Sequence, residues 1–209
     1  MIRKSGLVAT ATVLMAMAVG SGIAHAGAPL IGVGTAGSCV LTGKASIKPA
    51  LIFGGTVTPV NTSFKLKLGT KTTLCSGGTG DGAGVISGAV KGAIHSTGTN
   101  DCTSLGAVGL DPFDLSIKWK LTKGSPKLAP TTIHIAATPP SAINLAGPGG
   151  SIQITLTGTG TAGGSFAGNT FTAVATTDEL LTGFATACGT KGLKSFSFTA
   201  VNGPSTIHD

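Results

Sequence analysis

Phe113-Asp-Leu-Ser-Ile-Lys-Trp-Lys-Leu121 alternates apolar and polar residues over nine positions without a break. Side chains of an extended strand point to opposite faces with a period of two, so Phe113, Leu115, Ile117, Trp119 and Leu121 share one face. Asp114, Ser116, Lys118 and Lys120 occupy the other. The stretch reads as a long strand with one buried side, and it holds the only Trp of the chain. Its apolar face is expected either to centre a packed interior or to wall a ligand pocket.

Working outward, Lys123-Gly-Ser-Pro126 predicts a hairpin turn and Thr131–Ala136 the returning strand, with Ile133 and Ile135 inward and His134 outward. Ser151-Ile-Gln-Ile-Thr-Leu-Thr157 and Phe64-Lys-Leu-Lys-Leu68 alternate in the same way, and the second is expected to run on through Thr72–Leu74 after a break at Gly69. Val40–Ile47 predicts a strand cut off by Lys48-Pro49. Val85–Ile94, Phe171–Val174 and Leu193–Val201, the last with Phe196 and Phe198 in phase, predict three more. Thr177-Asp-Glu-Leu-Leu181 breaks the period: a Thr cap with two acids in the first turn, and Gly189 downstream, predicts the one helix. Eight or nine strands with one short helix before the last define an antiparallel all-β domain. Near-consecutive hairpins favour a barrel or flattened barrel, with a two-sheet β-sandwich as the alternative.

The N-terminus has the three parts of a secretory signal peptide. Met1-Ile-Arg-Lys4 is basic, an uncharged apolar run follows from Gly6 to Val19, and Ala24-His-Ala26 offers small residues for cleavage. The run is short of the ~20 residues a membrane-spanning helix needs. The expected organisation is a signal peptide at 1–26, a flexible Gly-rich lead-in at 27–37, a single all-β domain at 38–202 and a tail at 203–209. Removing 26 of the 209 residues leaves 183, enough for one domain with a real core. That part carries twelve Lys, no Arg and seven acids, a net charge of 12 − 7 = +5. Without the bidentate fork of Arg, without Tyr to stack on bases, and with lysines spread along the chain, the basic balance predicts a solvated surface and no nucleic-acid partner. An acidic cell envelope remains a compatible partner.

Cys39, Cys75, Cys102 and Cys188 form an even set in an exported chain, which predicts two disulfides. Three connectivities are open; flanking of one pair of short segments favours Cys75 with Cys102, leaving Cys39 with Cys188. No two cysteines have the Cys-x-x-Cys spacing of a zinc site.

The remaining motifs are better explained by structure than by chemistry. Gly32-Val-Gly-Thr-Ala-Gly37 and Gly158-Thr-Gly-Thr-Ala-Gly163 match a dinucleotide-binding pattern, but neither joins a strand to a helix, and a chain with 34 glycines yields such matches by chance. Gly77-Gly-Thr-Gly-Asp81 has a single carboxylate, too few for calcium. Gly163-Gly-Ser-Phe-Ala167 fails as a nucleophile elbow at its last position. His95, His134 and His208 form no metal-ligand pair. Asp111 with Asp114, and Asp178 with Glu179, are not paired across an aromatic-lined cleft as glycoside hydrolysis wants. No catalytic, cofactor-binding or metal-binding residue is therefore expected, and no cofactor.

The small-residue composition after the Ala24-His-Ala26 cleavage site, together with Cys188-Gly-Thr-Lys-Gly-Leu-Lys-Ser-Phe-Ser-Phe198, resembles small exported proteins of uncharacterised function from high-GC actinobacteria. The resemblance implies export and an all-β fold, and it brings no catalytic residues. The leading expectation is a non-catalytic, secreted or cell-surface structural or binding module. The alternative is a carrier of a small apolar ligand in a barrel, with Phe113, Leu115, Ile117, Trp119 and Leu121 as pocket wall. A hydrolase lacks the titratable groups, and an outer-membrane pore lacks an aromatic girdle, although a nine-residue strand has the length for one.

Overall fold

The computed structural model describes residues 29–54, 59–96, 101–102, 111–137, 141–199 and 205–209; the expected signal peptide lies outside them. The strands are β1 (Ser38–Leu51), β2 (Val60–Leu68), β3 (Val85–Ser96), β4 (Phe113–Leu121), β5 (Thr131–Ile135), β6 (Ala142–Asn144), β7 (Ser151–Gly160), β8 (Thr170–Leu180), β9 (Leu193–Phe198) and β10 (Thr206–His208). Among the described residues one α-helix, α1 (Leu181–Thr190), precedes the last two strands. All pairings between these strands are antiparallel.

Strands β1, β2, β3, β4, β5, β7 and β8 follow one another around a ring. Closure comes from two short strands used as one stave: β9 pairs with β1 over Gly43–Ser46, and β10 pairs with β1 over Ser38–Val40 and with β8 over Thr172–Val174. In the same manner β6 continues β5 along β7. The result is an irregular, flattened barrel of eight staves, the all-β architecture expected from the periodicity.

A fully buried serine stands beside each broken stave in place of a ladder pair. Ser141 Oγ accepts from the Thr157 amide at 3.2 Å and donates to the Thr157 carbonyl at 3.5 Å. Ser205 Oγ accepts from the Thr176 amide at 2.9 Å and donates to the Thr176 carbonyl at 3.5 Å. Leaving a buried backbone group without a partner costs about 1–3 kcal/mol, which is what each hydroxyl prevents.

Strand β4 has the bounds its alternation predicts. Phe113, Leu115, Ile117 and Trp119 are buried, Leu121 is half-buried, and the four polar residues are exposed. Each buried aliphatic side chain contributes roughly 1.5–3 kcal/mol relative to exposure. The same core takes in the inward positions of every other long strand.

Several expectations are corrected. Strand β1 runs through Pro49 to Leu51, because its ladder to β2 ends at Lys48 and its pairing to β9 shifts between Ser46 and Leu51, so the absent proline N–H is not called upon. Thr72–Leu74 is not strand: Gly69 turns at φ 67°, and the Thr70 amide and hydroxyl fold the chain onto Thr73. The helix starts at Leu181 rather than Thr177, since the chain stays in the β8 ladder and the two acids take other amides, as described below. The expected tail contains β10. The disulfides are Cys39–Cys75 and Cys102–Cys188, not the pairing favoured from the sequence. Cys39 opens β1 and Cys75 lies in the loop after β2, where Ser38 and Ser76 bridge, so the antiparallel hairpin itself brings them together.

Candidate functional site

The barrel has two unlike ends. At the end where β4 finishes and β5 begins, Trp119 meets the edge of Phe166 at 5.6 Å between ring centroids, with planes 82° apart. The indole N–H donates to Thr131 Oγ1 at 2.7 Å, and that hydroxyl donates to the Ser165 carbonyl at 2.8 Å. Ser165 Oγ in turn accepts from the Gly32 amide at 3.0 Å. Every polar atom of this buried chain is used, the condition under which buried polarity stabilises. Phe166 has φ 58°, a costly conformation for a bulky residue, and it is 1% exposed, so its ring is held as a plug.

Residues 29–37, expected as a flexible lead-in, are fastened across this end. The Leu30 amide and carbonyl bond Lys127 and Ala129, Asp81 accepts from the Val33 amide at 3.0 Å, and Asp209 accepts from the Ala36 and Gly37 amides at 2.6 and 2.7 Å. Glycine serves close backbone approach here. A Cβ on Gly82 would lie 1.7 Å from the Thr35 carbonyl oxygen, and Gly34, at φ 96°, leaves only 2.2 Å to that of Thr79. The two glycine motifs of residues 32–37 and 77–81 are thus the two sides of one contact.

The opposite end is hollow. A cavity of about 150 Å³ occupies the interior, and nineteen of its twenty-four lining residues are apolar. Inward-facing Ala173 and Ala175 on β8 leave the space, in a ring whose interior is otherwise just wide enough to be filled by side chains. Phe64, Leu115, Phe196 and Phe198 form much of the wall, and Phe184 of α1 closes over it, 5.7 Å from Phe196. The five polar lining residues are Thr62, Ser96, Asp101, Asp111 and Thr177, all toward this end of their strands or in the segments beyond. Cys102–Cys188 ties α1 to the segment that carries Asp101. Ile52, Phe53, Leu180 and Leu181 are exposed around the helix.

Of the five β4 residues expected as wall, Leu115 borders the cavity. Phe113 stacks on Phe64 at 5.8 Å, while Trp119 and Ile117 are packed toward the plugged end. Phe184, Ala173 and Ala175 escape a reading of β4 alone; the alternation of alanine in phase with Phe171 is the signal that marks β8 as a wall with room beside it.

The ionisable side chains take structural positions. Asp114 meets His134 at 2.8 Å on the outer surface. Glu179 accepts from the Ser197 amide at 2.9 Å and Asp178 from the Thr199 amide at 2.9 Å, so the two acids read as a helix start instead sew β8 to β9, where the backbone ladder holds only Thr177 opposite Phe198. Among the described residues no group of three His, Cys, Asp or Glu side chains could hold a metal ion, and no helix is long and apolar enough to cross a membrane.

Fold and site together define an irregular antiparallel barrel, plugged at one end and apolar and hollow at the other, with the two disulfides of an oxidising compartment. Comparison with protein-family models, with curated proteins and with solved structures finds no match to this chain.

Proposed function

We propose that the protein is an exported, non-catalytic binding module that carries a small apolar ligand in its barrel. The observation that supports this reading is the interior cavity of about 150 Å³ with its nearly all-apolar lining. A cavity of that order holds one benzene-sized molecule, whereas pockets for drug-sized ligands run to about 300–1,000 Å³. The ligand class is therefore a single ring or a short branched chain, with any polar atom turned toward Thr62 and Ser96. Export is supported by the basic, apolar and small-residue order of the first 26 residues, by the two disulfides, and by the resemblance to small exported actinobacterial proteins.

Native mass spectrometry on protein recovered from its own host, followed by thermal melts with toluene, indole and cyclohexane, tests the reading. A ligand at a hundredfold excess over its Kd adds about 2.7 kcal/mol and raises the melting temperature accordingly. Ala175→Phe, which fills the space, should abolish that rise while keeping the fold. Protein that carries no adduct and responds to none of these molecules would overturn the reading.

A further inference from the structure

The lysines that are spread along the sequence are gathered by strand register onto one outer wall. Lys44 of β1 lies directly opposite Lys65 of β2, and Lys65 lies directly opposite Lys91 of β3. Lys67 and Lys118 flank this row, both opposite Ala89, and Lys120 follows one step along β4. All six are exposed. Adjacent strands are about 4.8 Å apart, so the row of three covers roughly 10 Å, with further lysines about 7 Å away along the strands.

Like charges directly opposite on a sheet repel, and a sequence free to place them elsewhere gains by doing so. The seven acids of the chain do not relieve this wall. Asp114, the one acid on these four strands, is held by His134, and none of the six lysines has a carboxylate within ion-pair distance among the described residues. Between the lysines stand only short residues, Thr42, Ser46, Ser63, Ala89, Ala93 and Ser116, which leave the ammonium groups as the highest points of the wall.

We infer that the β1–β4 wall docks on an anionic lipid bilayer. The lysines form a two-dimensional array rather than a stripe along a groove, which matches a plane of headgroups better than a single linear polyanion. The wall carries neither Arg nor an aromatic residue, so it lacks the groups that read or stack on bases. The inference stands apart from what the cavity holds.

Flotation with vesicles of phosphatidylcholine alone, and with about one third phosphatidylglycerol, provides the test. The protein is expected to float with the anionic vesicles only, and to be released as salt rises from about 0.05 M to about 0.5 M. The triple variant Lys44→Gln, Lys65→Gln, Lys91→Gln should partition about a hundredfold more weakly, on the usual contribution of a lysine near such a surface. A control with the same net charge, Lys71→Gln, Lys123→Gln, Lys127→Gln, should stay within about threefold of the parent. Both triples lie on exposed positions, and circular dichroism confirms that each is folded. Equal loss in the two triples, equal binding to neutral vesicles, or tighter binding to soluble polyphosphate than to anionic vesicles would each overturn the inference.

Discussion

The two ends of this barrel are built from the same strands and the same alternation, yet one is solid and the other hollow. At the solid end Trp119, Phe166 and Phe171 fill the ring, and a buried hydrogen-bond chain from the indole to Ser165 fixes them. At the hollow end the equivalent inward positions on β8 are alanines, and Phe184 reaches in from α1 rather than from a stave. Period-two patterning decides which residues point inward; the volumes of those residues, summed across strands that meet only in three dimensions, decide whether the inside is full.

Three substitutions probe that difference, beginning with the largest effect. Trp119→Ala removes the largest piece of the solid end and leaves Thr131 without its indole donor, so chemical denaturation should show a loss of about 3–5 kcal/mol. A loss under about 1 kcal/mol would mean that this end, too, has slack. Replacing Cys102 and Cys188 together by Ser unties the helix from the mouth; with the two cysteines 86 positions apart in sequence, the expected loss is about 2–4 kcal/mol. The smallest effects come as a pair. Ala175→Leu adds volume where there is room and should change stability by less than about 1 kcal/mol, while Ala36→Leu, 2% exposed at the solid end, should cost about 1–3 kcal/mol through overpacking. Equal costs for the two would erase the distinction between the ends.

Strand β4 is legible in the sequence in face and extent because it is half-buried and its partners are near neighbours; β7 is legible in its start and alternation, but it runs on to Gly160, where glycines that fit a turn equally well stay in the ladders to β5 and β8. The helix start is misplaced for a physical reason: Thr177-Asp-Glu satisfies the chemistry of a cap, but the same three residues find acceptor and donor partners in the barrel seam, and the ladder wins. Glycine is the least legible residue. Gly32–Gly37 and Gly77–Gly84 have a composition that fits loose chain equally well, and only the approach of Thr35 to Gly82, 47 positions away, shows that the small residues exist to let two backbones touch. The disulfide pairing and the cavity share this difficulty, since each depends on which segments meet at the ends of the staves. The wall of lysines is another case: no window of sequence shows a cluster, yet register creates one.

The fastening of residues 29–37 to Asp209 has a consequence for handling the molecule. Both described extremities of the chain leave the barrel at its plugged pole, opposite the cavity mouth. A tag, an immobilising linker or a fused reporter attached at either extremity therefore stands away from the entrance, and a surface coated with such a fusion would present every mouth outward.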